Sequence, residues 1–200
     1  MTIMVATHRP NYGDEAMRLL APYNPIRVDG TGFPSCSYLW NQCIDRCPDE
    51  TVIICNERAR PKPEHVEKLL RLLAEGFALA GLYRFGFFGF NKDVLGRIGR
   101  FDERFHGGWY EDNDCILRLK EAGLAYYESE EVPYLYTEST WTHEACKDHF
   151  AKKWGTALPG PRKSRYMPED PPPSGISTGV YLPWRKSVLL AHSGGQYNRP

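Results

Sequence analysis

The residues best suited to chemistry lie between Phe85 and Gly123. A Gly/aromatic segment, Phe85 to Phe90, is followed by Gly99-Arg100-Phe101-Asp102-Glu103-Arg104-Phe105 and then by Gly107-Gly108-Trp109-Tyr110-Glu111-Asp112-Asn113-Asp114 on the lip of a predicted helix. Acids at a helix start have a structural reason, since they complement the macrodipole and accept from the unpaired N–H groups of the first turn. That reason does not account for the Gly pair and Trp before them. Gly108 lets the backbone approach a ligand closely. Trp109 offers a flat apolar face to a sugar ring, with Tyr110 and Glu111 beside it. Asp112 is placed to take a proton from an acceptor hydroxyl. This order of parts suits transfer of a sugar from a nucleotide to a hydroxyl, with the Gly and aromatic residues forming the acceptor platform.

Such groups need a scaffold, and the first 75 residues supply a regular one. Ile3 to Ala6, Ile26 to Val28 and Thr51 to Cys55 read as short buried strands. Between them fall predicted helices near Asp14–Leu20 and from Pro34 to about Cys47, and a third follows with Pro63 at its start and Gly76 past its end. Val66, Leu69, Leu70 and Leu73 form the apolar stripe of the third. Alternating strand and helix predicts an α/β fold, a mostly parallel twisted sheet flanked by helices. The second half is less regular: a short helix at Lys92–Ile98, a helix near Asp112–Ala122, and strands over Leu124–Glu128 and Val132–Tyr136. A domain over 1–158 and a Pro/Gly-rich tail over 159–200, including Pro171-Pro172-Pro173, complete the expected organisation. The tail is expected to wrap the domain or to act as a linker.

In an open α/β sheet, ligands bind beyond the carboxyl ends of the strands. Three such ends are polar here: Thr7-His8-Arg9, Asp29-Gly30-Thr31 and Asn56-Glu57-Arg58. Taken singly they are ordinary turn residues. Taken together in one sheet they are as well explained by a nucleotide site, in which His8 and Arg9 could meet a base or phosphate and Asp29 a base or ribose. Glu57 and His143 are the candidate metal ligands, because a His with a carboxylate suits Mn²⁺ and an oxygen-rich site with a diphosphate suits Mg²⁺ or Mn²⁺.

Other classes fit less well. Lys plus Arg total 25 and Asp plus Glu total 25, so no bulk charge argues for nucleic acid or an acidic membrane surface. No apolar run is long enough to span a membrane, and strand-like sequence from Ile3 leaves no room for a leader. The six cysteines contain no CxxC pair and read as reduced core thiols, which predicts a cytoplasmic protein. There is no GxxxxGK[ST] loop, no GxGxxG after the first strand and no GxSxG elbow. A nucleotidyltransferase would carry a Gly-rich basic loop after the first strand, and Thr7 to Asn11 has no glycine. A non-catalytic sugar- or nucleotide-binding module would not need Asp112.

These residues resemble the GT-A-fold glycosyltransferases, particularly the large family 2 group and, locally, the β-1,4-galactosyltransferases. Ile98 to Phe105 is similar to the family's "iGgFDE.f", and Trp109 to Asp114, followed by Arg118 and Gly123, to its "GxEDxD". Phe150-Ala151-Lys152-Lys153-Trp154-Gly155 is similar to the downstream "F..KWG". The resemblance covers about residues 2 to 155. It implies a nucleoside-diphosphate-sugar donor, with uridine diphosphate the first expectation, a glycan or glycoconjugate acceptor, inversion, and usually a divalent metal. It implies Asp112 as the base, Asp29 near the donor base and His143 as the late metal-site histidine; another alignment puts Thr137 or Glu138 at that position. Where the family carries its aspartate-rich element this chain has Asn56-Glu57-Arg58. Glu57 could bind a metal there, or Arg58 could neutralise the diphosphate directly as a fixed cation.

Overall fold

The structure is a computed structural model. It describes residues 1–135 and 144–155 and the backbone of 179–181 and 196–198. Six strands form a mixed sheet: β1 (Ile3–Thr7), β2 (Ile26–Asp29), β3 (Thr51–Asn56), β4 (Leu79–Phe85), β5 (Phe87–Asn91) and β6 (Tyr126–Glu128). Their order is β2-β1-β3-β5-β4-β6. β1 is parallel to β2 and β3, β4 is parallel to β6, and β5 runs antiparallel to both β3 and β4. The backbone of β7 (Gly179–Tyr181) pairs with β6, and that of β8 (Gln196–Asn198) with β7. The rest of the expected tail lies outside the described residues.

Both faces of the sheet are covered, which explains why its strands read as continuous apolar runs. Side chains alternate between two cores, as the pleat requires. Met4, Ala6, Val52 and Ile54 point to one face. There they meet Leu39, Trp40, Cys43 and Ile44 of α2 (Cys36–Arg46) and Ile116 and Leu119 of α5 (Glu111–Glu121). Ile3, Val5, Ile53 and Cys55 point to the other. They meet Ala16 of α1 (Pro10–Leu19) and Val66, Leu69 and Leu72 of α3 (Pro63–Ala74). The helix ends follow local chemistry. The Ser35 hydroxyl accepts from the Tyr38 N–H (3.1 Å) to start α2, and Pro63 opens α3. α1 starts at Pro10, four residues before the predicted Asp14, because proline suits a first turn that has no use for its N–H.

The aromatic segment Phe85–Phe90 corrects the sequence reading. It is a hairpin in the centre of the sheet, and Phe85, Phe87, Phe88 and Phe90 are core residues rather than an acceptor platform. β4, which the sequence did not announce, is its first arm. The chain reverses in a tight turn, with the Gly86 N–H donating to the Tyr83 carbonyl (2.6 Å) and Arg84 at φ +47°, so the arms are antiparallel. A Cβ at Gly86 would stand 2.8 Å from Tyr83 and 2.9 Å from Tyr134. The sheet is therefore mixed rather than mostly parallel. No strand forms over 132–135; Tyr134 makes one isolated antiparallel bridge, to Ala59.

The short α4 (Asp93–Ile98) follows β5, and α6 (Glu144–Trp154) packs through Cys146 and Phe150 on Phe105, Tyr110 and Leu117. All six cysteines are free, and five are buried. Among the described residues no helix is long and apolar enough to cross a membrane.

Candidate functional site

The ends of β1, β2 and β3 lie side by side, and a cavity of about 350 Å³ opens beyond them. Its size falls in the usual small-molecule range of roughly 300–1,000 Å³. Five of the residues expected at a donor site line it: His8, Arg9, Asn56, Glu57 and Arg58. The turn Gly30–Phe33 and Cys36 complete the wall. Gly30 packs closely there, since a Cβ would stand 2.8 Å from the Leu39 side chain and 3.2 Å from the His8 ring.

Two expected residues are placed elsewhere. Thr7 shares the pleat face of Ile3 and Val5. It is fully buried against α1, where a Cβ on Gly13 would come within 2.7 Å of its methyl group. Asp29 is exposed, and its Oδ1 accepts from the Thr31 N–H (2.8 Å). That hydrogen bond holds its carboxyl below the ordinary value and shapes the turn bordering the cavity.

The turn after β3 is held from several sides. The Glu57 N–H extends the ladder to the Ala6 carbonyl (3.0 Å). Asn56 Oδ1 accepts from the Arg58 N–H (3.0 Å) and the Tyr134 hydroxyl (3.3 Å). The Arg60 N–H donates to the Pro133 carbonyl and the Leu135 N–H to that of Arg58. The Arg60 guanidinium donates to the carbonyls of Glu57 and Ala59. The Arg58 guanidinium lies 5.0 Å from the centre of the Tyr134 ring. Glu57, 4% exposed, accepts from the Arg9 N–H at 2.5 Å and also from the His8 N–H. Burial pushes its carboxyl up, while those two amides, Arg58 and Arg9 pull it back. Burial likewise lowers His8, whose Nδ1 lies 3.1 Å from the Gly30 carbonyl and whose Nε2 lies 3.9 Å from Cys36 Sγ.

The second part of the site arrives on the loop before α5. Gly107 is strapped to the start of α2: its N–H donates to the Pro34 carbonyl and its carbonyl accepts from the Cys36 N–H, both at 2.8 Å. This brings the first turn of α5 towards the cavity wall. Burial is the main reason that the Cys36 thiol is pushed well up, and the charges of Glu111, Arg58, Glu57 and Asp112 all act on it. Cys36 lines the cavity together with the turn after β3, and its backbone is bonded to the loop that leads into α5. Asp112 is half-buried, with Oδ1 accepting from the Asn113 N–H (2.8 Å) and side-chain amide (3.0 Å). The surrounding expectation needs correction. Tyr110 has φ +71° and is a core residue, Glu111 is buried, and Trp109 packs against the Phe105–Phe150 cluster. Gly108 is half-exposed.

A buried ionic network holds this lip, and the sequence reading did not isolate it. Asp114 is fully buried and takes Arg118 Nε (2.9 Å), Trp154 Nε1 (2.9 Å) and Lys153 Nζ (2.7 Å). Lys153 also reaches Asp102 (2.8 Å), which Arg104 and His149 bond as well. Burial works against the Asp102 carboxylate, yet these donors hold it well below the usual range. Arg118 donates onward to the carbonyls of Ile98 and Gly99. Asn41 of α2 brackets Phe101, donating to its carbonyl (3.0 Å) and accepting from its N–H (3.2 Å). The segments around Phe101, Asp114 and Trp154 are thus parts of one structural clamp. Cys36 and Phe33 were also missed; their only signal was proximity to a predicted strand end.

The metal expectation meets a chemical obstacle. His143 lies outside the described residues, as do Thr137 and Glu138. Among the described residues no three His, Cys, Asp or Glu side chains converge in a way that would hold an ion. Glu57 is engaged with two amides and sits beside Arg9 and Arg58. Glu57, the one expected ligand among the described residues, is thus already engaged. No protein-family model matches the chain, and no curated protein matches it.

Proposed function

We propose that this chain is an inverting glycosyltransferase with a GT-A-like fold, moving a sugar from a nucleoside-diphosphate sugar to a hydroxyl of a glycan or glycoconjugate. One observation carries the reading: Cys36 lines a cavity at the ends of three parallel strands, and its N–H is bonded to Gly107 on the loop that leads into the acidic first turn of α5. The donor nucleotide occupies the cavity, with Arg9 and Arg58 towards its phosphates. Asp112 takes the proton as the acceptor oxygen attacks the anomeric carbon. That carbon's bond to the phosphate oxygen breaks, and the diphosphate leaves with the electron pair. A positioned base contributes roughly 10²–10⁴-fold, and fixed donors and cations stabilise the leaving charge without reorganising. The lip clamp keeps the base in place, which matters because a small misplacement costs rate steeply.

The test is a thermal-shift panel of nucleoside diphosphates, with uridine diphosphate first, followed by assay of diphosphate release from the matching nucleotide sugar. A ligand that binds the native state alone raises the melting temperature. Binding with acceptor-dependent release supports the proposal. Binding without turnover identifies a nucleotide-sugar-binding module, the second use the same cavity would serve. Absence of any shift across the panel refutes the donor site.

A further inference from the structure

We infer that the donor diphosphate is held by Arg58 and Arg9 as a metal-free clamp, and that Glu57 is a positioning residue fixing the clamp backbone rather than a metal ligand. The inference rests on reading the cavity as a donor site.

Glu57 carries the first part of the argument. Its carboxylate is almost wholly removed from solvent and accepts from the backbone N–H groups of Arg9 and His8. Those amides lie at the end of β1, where the chain turns into α1. Recruiting the carboxylate to a cation would loosen both amides in a buried place, and a buried donor without its acceptor is costly. Glu57 is therefore a tie between two strand ends, β3 and β1. It orients Arg9 through the backbone.

The second part is charge. The cavity-lining residues include two guanidiniums and one carboxylate. A doubly charged cation placed among them meets repulsion from both arginines at short range. A diphosphate meets the opposite. Guanidinium presents paired donors in a planar fork, which matches two phosphate oxygens.

The third part is preparation. Arg58 is set on a turn tied to Asn56, Pro133 and Leu135, and its guanidinium rests on Tyr134. The cation is in position before the ligand arrives, so little ordering cost falls on binding.

The experiment uses the full chain after exhaustive chelation, with titration calorimetry of uridine diphosphate and of uridine, and then with Mn²⁺ restored. Uridine diphosphate should bind the chelated and the Mn²⁺-loaded protein within about twofold. Arg58→Ala should weaken uridine diphosphate roughly 10–100-fold, the range of lost charged hydrogen bonds, while uridine binds as before. Arg58→Lys should recover part of the loss, restoring the charge without the fork. Glu57→Gln should weaken uridine diphosphate by the same factor with and without Mn²⁺; a metal ligand would lose the Mn²⁺-dependent part alone. Urea midpoints of the variants check that each is folded. Affinity that collapses on chelation and returns with Mn²⁺ overturns the clamp while leaving the donor site standing. So does an Arg58→Ala protein that weakens uridine and uridine diphosphate equally. Failure of every nucleoside diphosphate under both conditions overturns the donor site and the clamp with it.

Discussion

Two turns of this molecule are rich in charge and use it differently. The turn after β3 holds one buried carboxylate, Glu57, tied to backbone amides, while its arginine lines a cavity. The lip of α5 holds several carboxylates. Asp114 is fully buried among Arg118, Lys153 and Trp154, whereas Asp112 two residues earlier is half-buried and accepts from Asn113. Acids of one type and almost one position therefore sit in different surroundings. A buried carboxylate needs partners to offset desolvation, and the side chains that become its partners assign it to structure. In the proposed reaction it is the half-buried Asp112 that takes the proton.

The sharpest test of that contrast is Asp112→Asn. Transfer should fall by roughly 10²–10⁴-fold, with nucleotide binding and melting temperature close to the parent. Steady-state kinetics beside a thermal scan measures both. Near-parental turnover would erase the distinction between the two aspartates.

Asp114→Ala should do the reverse. Removing one partner of a buried pair strands the others, a loss of about 3 kcal/mol once the partial exposure of Arg118 and Lys153 is allowed for. Urea unfolding would register it as a lower midpoint. A loss below about 1 kcal/mol would mean that the network merely accompanies the fold.

Asn41→Ala probes how the lip is anchored to α2. It leaves the buried Phe101 N–H and carbonyl without this partner. The expected cost is about 2 kcal/mol. Transfer rate should fall further than nucleotide affinity, since Asn41 holds the lip and not the cavity.

Asp102 gives the smallest effect, and it is visible in acid. Its carboxyl in the folded chain lies below its ordinary value of 3.8. The folded state therefore binds fewer protons than the unfolded state at low pH. The stabilisation is complete above about pH 4 and drains away as pH falls below it. Asp102→Asn should flatten the acid limb of stability, measured by urea unfolding between pH 3 and pH 6. An unchanged limb would remove Asp102 from the clamp.

Much of the frame was legible from short-range patterns. β1, β2, β3, α2 and α3 were read because periodicity, caps and prolines act within a few residues. β4 was not. Gly81 and Arg84 interrupt Leu79–Phe85, burial on both faces removes the alternation, and a turn centred on Arg84 and Phe85 carries none of the usual Asn-Gly or Asp-Gly signal. The same blindness turned a core hairpin into a supposed platform. That His8, Arg9, Asn56, Glu57 and Arg58 come together around one cavity was legible because strand ends are local features and the crevice rule gathers them. Thr7 failed for a pleat reason, since it shares a face with Ile3 and Val5. Tyr110 failed because its left-handed backbone turns it into the core.

By itself the sequence determined the kinds of chemistry available and the elements that carry them, since helix starts, strand faces and turns are settled by neighbours along the chain. Tertiary structure decided which charges are buried and paired and which line the cavity. Glu57 meets Arg9 across 48 positions, Asp102 meets Lys153 across 51, and Asp114 meets Trp154 across 40. Desolvation and pairing depend on distance in space, and that distance exists only once the sheet has assembled and the lip is strapped to α2.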